Sequence, residues 1–249
     1  MGLPDGSGHN DAITLRTMPM STTLRLISSM ATQAVLTDLI TLYAQQAPGV
    51  RVSLESAGGV DVAKRVQAGE AFDLVALASN AIDKLMDSGH VLSGSRADLV
   101  VSDVAVAVRA GQVVPDIATE AALKAAVLAA PTVGYSTGPS GTQLLKLFER
   151  WGIADQMAPR LVQSKPGVPV GALVAQGEVS LGFQQRSEML GVDGITLIGG
   201  MPKGTEIITI FSGAVASTCQ HPEVARALLA FWQSSACDSL KREHGMDPA

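Results

Sequence analysis

The feature that most constrains this chain is an alternation that begins at Thr23: a short apolar run, a small polar turn, then a helical pattern, repeated. Leu24-Arg25-Leu26-Ile27 reads as a buried strand, Ser28-Ser29 as a turn and helix cap, and 34–46 as a helix with apolar residues at helical spacing. A strand at 50–54, the turn Ser56-Ala57-Gly58-Gly59 and a helix at 60–68 follow, then a strand at 74–78 and a helix at 81–88. The apolar run 99–108 carries no turn signal and reads as one long strand. Strands alternating with helices predict a parallel sheet covered on both faces.

After Arg109-Ala110-Gly111 the order resumes, with a helix at 119–128, a strand at 132–135, the turn Ser136-Thr137-Gly138-Pro139-Ser140-Gly141 and a helix at 142–151. A helix at 168–176, strands at 181–184 and 195–198, a long strand at 206–215 and a helix at 222–233 complete the chain, the last helix with Pro222 in its first turn. The economical summary is an α/β protein of two lobes joined by two long strands, with a ligand cleft between the lobes. One lobe takes 22–103 and is completed by 212–249; the other takes 104–211. Residues 1–21 have neither a basic n-region nor an apolar h-region and read as a disordered leader.

Composition narrows the function. Eighteen basic against 23 acidic residues give a net charge of −5, without the basic stripe that nucleic acid requires. No run of 18 apolar residues occurs, so membrane insertion is not expected. As written, the chain reads as cytoplasmic; if the leader replaces a removed signal, it reads as periplasmic. Cys219 and Cys237 are too far apart for a Cys-x-x-Cys pair; they form either one disulfide or, the favoured reading, two free thiols. Histidines 9, 90, 221 and 244 have no metal spacing, and no metal or cofactor is expected. A monomer is expected.

The chemistry should lie in the three small polar turns, because each offers unpaired N–H groups at a helix start where an anion can dock. The alternative is that Ser and Gly there only cap helices. Gly141-Thr142-Gln143 stands where a phosphate loop would have Gly-Lys-Ser/Thr, which argues against a nucleoside triphosphate. Gln184-Gln185-Arg186-Ser187-Glu188 follows an apolar strand and should emerge at the cleft rim, either to recognise a carboxylate or as a polar helix start.

The segments Leu24-Arg25-Leu26-Ile27-Ser28-Ser29, Val62-Ala63-Lys64-Arg65-Val66-Gln67-Ala68-Gly69-Glu70, Phe72-Asp73-Leu74-Val75, Pro139-Ser140-Gly141 and Val170-Gly171-Ala172-Leu173-Val174 resemble the periplasmic molybdate-binding proteins over 23–245. That resemblance implies the two-lobed type II binding-protein fold with two crossover hinge strands. It puts the family's anion-binding serines on Ala31 and Gly59, a backbone donor near Val168 and Pro169, and the closing tyrosine hydroxyl on Gln185. Proline has no N–H to give, and of these donors only the backbone at Pro139-Ser140-Gly141 looks intact.

Within the same fold, Ser28-Ser29, Asp83-Lys84-Leu85, Ser95-Arg96, Asp98-Leu99, Ala107-Val108-Arg109, Tyr135-Ser136, Ser140-Gly141, Gly182-Phe183-Gln184-Gln185, Ser187-Glu188, Ser212-Gly213-Ala214 and Gln220-His221-Pro222-Glu223 are similar to the bacterial aconitate isomerases. This likeness implies a double-bond shift between trans- and cis-aconitate, with a di- or tricarboxylate as partner. The other likeness implies a transporter component carrying a molybdate-type oxyanion or an organic anion. Ser28, Ser29, Ala31, Gly58, Gly59, Ser136, Ser140, Gly141, Thr142, Pro169, Gln184 and Gln185 are the candidate ligand-binding residues. Tyr135, Glu55 and Glu188 are the candidates for moving the proton; the bland reading of Glu55 is a rim carboxylate, and that of Tyr135 a packed ring.

Overall fold

The computed structural model describes residues 22–249; the leader expected over 1–21 lies outside them. β1 (Thr22–Ser29) pairs in parallel with β2 (Val50–Ala57) on one side and β3 (Leu74–Ala78) on the other. The crossovers are α1 (Gln33–Gln46) and α2 (Gly59–Gln67), and α3 (Ser79–Asp87) follows β3. All five residues of β3 are buried, as a strand covered on both faces requires, whereas the edge strand β2 exposes Arg51, Ser53 and Glu55 on alternate positions.

β4 (Ala97–Arg109) leaves this first lobe and enters the second. There α4 (Glu120–Ala129), β5 (Val133–Tyr135), α5 (Pro139–Arg150), α6 (Ala154–Met157), β6 (Leu161–Gln163), α7 (Val170–Gln176), β7 (Leu181–Gln185), α8 (Arg186–Met189) and β8 (Ile195–Gly200) follow in order. β9 (Ile208–Val215) returns to the first lobe, and α9 (Pro222–Trp232), α10 (Asp238–Glu243) and β10 (Asp247–Pro248) close the chain, β10 pairing with β4. The strand order is β2-β1-β3-β9-β4-β7-β5-β6.

The sheet is mixed, which corrects the parallel expectation. β9 runs antiparallel to β3 and β4, and β4 antiparallel to β7 and β8, because the chain goes out on one long strand and comes back on the other. Residues Ala97–Asp103 of β4 pair with β9, and Val104–Arg109 pair with β7 and β8, so one strand belongs to both lobes. Other corrections are local. Ser56 and Ala57 continue β2 rather than turning, α5 starts at Pro139 instead of 142, and β6 and α8 carry no periodic signal because they are only three and four residues long.

Each lobe buries apolar residues on both faces of its sheet. Leu24, Leu39, Leu74 and Trp232 lie on one face of the first lobe, and Ile27, Val62, Val75 and Ile82 on the other. Val106, Leu123, Val133 and Phe148 fill one face of the second lobe, with Ala105, Val170, Val174 and Val179 opposite. Each large side chain so buried contributes about 1.5–3 kcal/mol. Glycines let α7 lie close to the sheet: a Cβ at Gly182 would stand 2.5 Å from Val174 Cγ2, and one at Gly134 3.0 Å from Val170 Cγ1. That close approach brings the start of α7 beside the end of β7, where the glutamine pair sits. Cys219 and Cys237 are both free thiols.

Candidate functional site

The ends of β1, β3 and β7 and the turns and helix starts that follow β2, β3 and β5 line a cleft of about 440 Å³, within the ~300–1,000 Å³ usual for small-molecule sites. Among the helices that start on it, α2 behind Gly58, α3 behind Ala78 and α5 behind Gly138 have no side-chain cap. By contrast α4, which does not line the cleft, is capped by Thr119, whose hydroxyl accepts from the Ala122 N–H at 3.1 Å. Bare starts leave donors and a partial positive charge facing the cleft.

Of the residues expected to bind ligand, the cleft brings together Ser29, Ala31, Gly58, Gly59, Ser136, Ser140, Pro169, Gln184 and Gln185. Ser28 is fully buried behind them, its hydroxyl 2.8 Å from Ser56 Oγ and donating to the Ser29 carbonyl at 3.1 Å. Gly141 also stands behind the lining: a Cβ there would be 1.9 Å from the Ser136 carbonyl oxygen, so only glycine lets the turn fold back onto the first turn of α5. Thr142 is exposed on α5 and does not line the cleft.

The three acid–base candidates separate. Tyr135 ends β5 half-buried against the second lobe's core and is not part of the cleft wall. Glu55 points outward from β2, where Arg65 holds it at 2.5 and 3.1 Å and keeps its carboxyl below the usual range. Glu188 alone of the three lines the cleft. Burial pushes its carboxyl up to about 7, and the amide of Gln184 pulls the other way by donating to it at 2.9 Å.

Gln184 does two things at once. Its side-chain carbonyl accepts the Val170 N–H at the start of α7, at 2.7 Å, and its NH₂ donates to Glu188. The α7 donor that could have met an anion is therefore occupied, and the amide that occupies it aims a carboxyl at the cleft instead. Gln185, 3 % exposed, donates to Thr209 Oγ1 at 2.8 Å.

Sequence reasoning missed the lysines. Lys64, Lys84 and Lys165 line the cleft, are exposed, and form no ion pair among the described residues. The signal was present as helical spacing: Val60, Ala63, Lys64 and Gln67 lie on one face of α2, and Lys84 is one turn beyond Asn80 on α3. Three cations and one carboxyl poised near neutrality give the cleft a positive field in a chain of net charge −5. Among the described residues no group of three or more His, Cys, Asp or Glu is placed to hold a metal ion.

The chain is 36 % identical over 233 residues to a protein from Pseudomonas sp. named aconitate isomerase, covering 91 % of this chain and 88 % of that one. Its fold matches the periplasmic molybdate-binding protein of Azotobacter vinelandii with a TM-score of 0.74 at 17 % identity, over 90 % of this chain and 98 % of that one. It also matches the substrate-binding domain of a putative molybdenum ABC transporter from Clostridium difficile, with a TM-score of 0.72 at 16 % identity, over 92 % and 100 %. With its mixed α/β sheet, two lobes and intervening cleft, the fold is the type II binding-protein fold. The model of one family spans residues 24–247, nearly all of the described chain, and the chain belongs to that family, the bacterial extracellular solute-binding proteins.

Proposed function

We propose that this chain is an isomerase that interconverts trans- and cis-aconitate in the cleft between its lobes, with Glu188 moving the proton. The observation that carries this reading is the Gln184 bridge, which takes up the Val170 N–H at the start of α7 and holds in the cleft a carboxyl that burial pushes up to about 7. The 36 % identical relative named aconitate isomerase supports it. A pure binding site gains nothing from a half-protonated acid, whereas an acid–base catalyst works best with its pKa near the operating pH.

Lys64, Lys84, Lys165 and the bare starts of α2 and α5 suit three carboxylates. Ionised Glu188 removes a proton from the substrate methylene; the electron pair spreads over the allylic carbons into the attached carboxylates, where lysines and N–H groups stabilise it. The proton, now on Glu188, returns to the carbon two positions away. The double bond has moved, a new methylene has formed, and Glu188 is again ionised. One group in two protonation states closes the cycle without a cofactor.

A second reading, a binding protein that hands molybdate or an organic anion to a transporter, is favoured by the family description. The same extracellular description supports a periplasmic site of action over a cytoplasmic one. Proton NMR of trans-aconitate in D₂O with catalytic protein separates the two. Isomerase activity gives cis-aconitate, and deuterium in its methylene measures how far the proton held on Glu188 exchanges with solvent before it returns to the substrate. Line broadening without conversion, at stoichiometric protein, overturns the isomerase and leaves a carboxylate-binding protein; unperturbed signals at both concentrations point to an inorganic oxyanion.

A further inference from the structure

Glu188 sits in α8, a helix of four residues that is too short to hold its own place. Its neighbours do not line the cleft, and each is committed elsewhere. Arg186 forks onto Asp103 of β4, with Nε 2.8 Å from Oδ1 and Nη2 in contact with Oδ2. Glycines clear the slot for that guanidinium: a Cβ at Gly200 would stand 2.9 Å from Arg186 Nη2, and one at Gly245 (φ +69°) 3.0 Å from Arg186 Cδ. Ser187 donates its hydroxyl to the Ala31 carbonyl at 2.9 Å, reaching the turn after β1 in the other lobe. Met189, 2 % exposed, packs in the cluster of Val170 and Val174.

We propose that Ser187 and Arg186 are positioning residues that clamp α8 to the first lobe and to the crossover strand, so that Glu188 meets a substrate held between the lobes at one fixed place. The inference rests on the role given to Glu188 above. Ala31 itself lines the cleft, so the Ser187 bond ties the acid directly to the surface that receives the ligand. The charged groups facing α8 are Asp103 and Asp247, against Arg186; Lys64, Lys84 and Lys165 line the same cleft as Glu188. Neither Ser187 nor Arg186 touches the cleft, and their effect must pass through Glu188.

The test combines kinetics with a ligand-free titration of the Glu188 carboxyl by ¹³C NMR, its signal assigned by its loss in Glu188→Gln. Ser187→Ala is expected to lower kcat for trans-aconitate about tenfold with KM within about threefold, since misplacing a reacting group by about 1 Å costs up to a hundredfold. Its Glu188 midpoint moves down toward the ordinary carboxylate range as water reaches the loosened helix. Ser187→Thr, which keeps the hydroxyl, restores both readouts. Arg186→Lys, which keeps the charge and loses the fork, follows Ser187→Ala in direction. An unchanged midpoint in folded Ser187→Ala, or no rescue by Thr, overturns the proposal. Absence of turnover in the parent protein would defeat the isomerase reading alone, because the titration still decides whether the clamp holds Glu188.

Discussion

Two glutamates near strand ends face opposite fates in this molecule. At the outer edge of the first lobe, Glu55 is exposed and sits in a network with Arg65, Glu70 and Arg25, with Arg25 and Arg65 also stacked over the Phe72 ring. In the cleft, Glu188 is partly buried with an amide as its hydrogen-bond partner and no ion pair among the described residues. The guanidinium fixes Glu55 as an anion at any ordinary pH. Desolvation leaves Glu188 free to exchange a proton near neutrality. What a carboxyl can do here is set by its surroundings and not by its residue type.

The largest effect expected from this contrast is on turnover. Glu188→Gln should lower kcat for trans-aconitate about a thousandfold, while calorimetry still detects tricarboxylate binding; Glu55→Gln should stay within about twofold. Equal losses in the two variants would erase the contrast.

Stability against pH should differ in sign between the two regions. The folded value of Glu188 is about 7 against an ordinary 4.5, so the folded state holds its proton over that interval while the unfolded state has released it. Stability from this group is therefore present below about 4.5, is lost as pH rises through 7, and is constant above, a change of at most about 3 kcal/mol. Glu55, with its value lowered, acts the other way: its contribution is present above 4.5 and fades as pH falls through the lowered value, and it is small because the pair is exposed. Urea unfolding from pH 4 to 8 on the parent and on Glu188→Gln measures the difference, and an identical slope in both would contradict the buried acid.

Gln184→Leu sharpens the same comparison. It removes the donor to the Glu188 anion, so the acidic limb of the kcat profile should move to higher pH, with kcat down about thirtyfold as the carboxyl loses its aim. The Val170 N–H also loses its acceptor, at a cost of about 1–3 kcal/mol. The smallest effect concerns the cleft's field: Lys84→Gln should raise KM about fivefold and flatten its dependence on added salt. A salt-independent KM in the parent would remove the electrostatic part of the reading.

Much of the architecture was legible from residue order. β3 appeared in the sequence with the bounds it has in the structure, and the cleft-facing breaks at Gly58 and Ser136–Gly138 were readable because strand, turn and helix have local periods, whereas Ser28-Ser29, expected as a turn, complete β1 by pairing with Ser56 and Ala57. Short elements such as β6 and α8 were not, since three or four residues complete no period. The lysines escaped for a different reason. Lys64 lies one turn into α2, and a turn-by-turn search for polar loops stops before it.

By itself the sequence determined the two-lobed alternation and the long strands that join the lobes, because each depends on neighbours within a few residues. Only the tertiary structure decided which glutamate lies desolvated in the cleft, that Gln184 fills the start of α7, and that Ser187 reaches Ala31 of the other lobe. Desolvation and hydrogen-bond partnership come from groups far apart in the chain, so no local pattern encodes them.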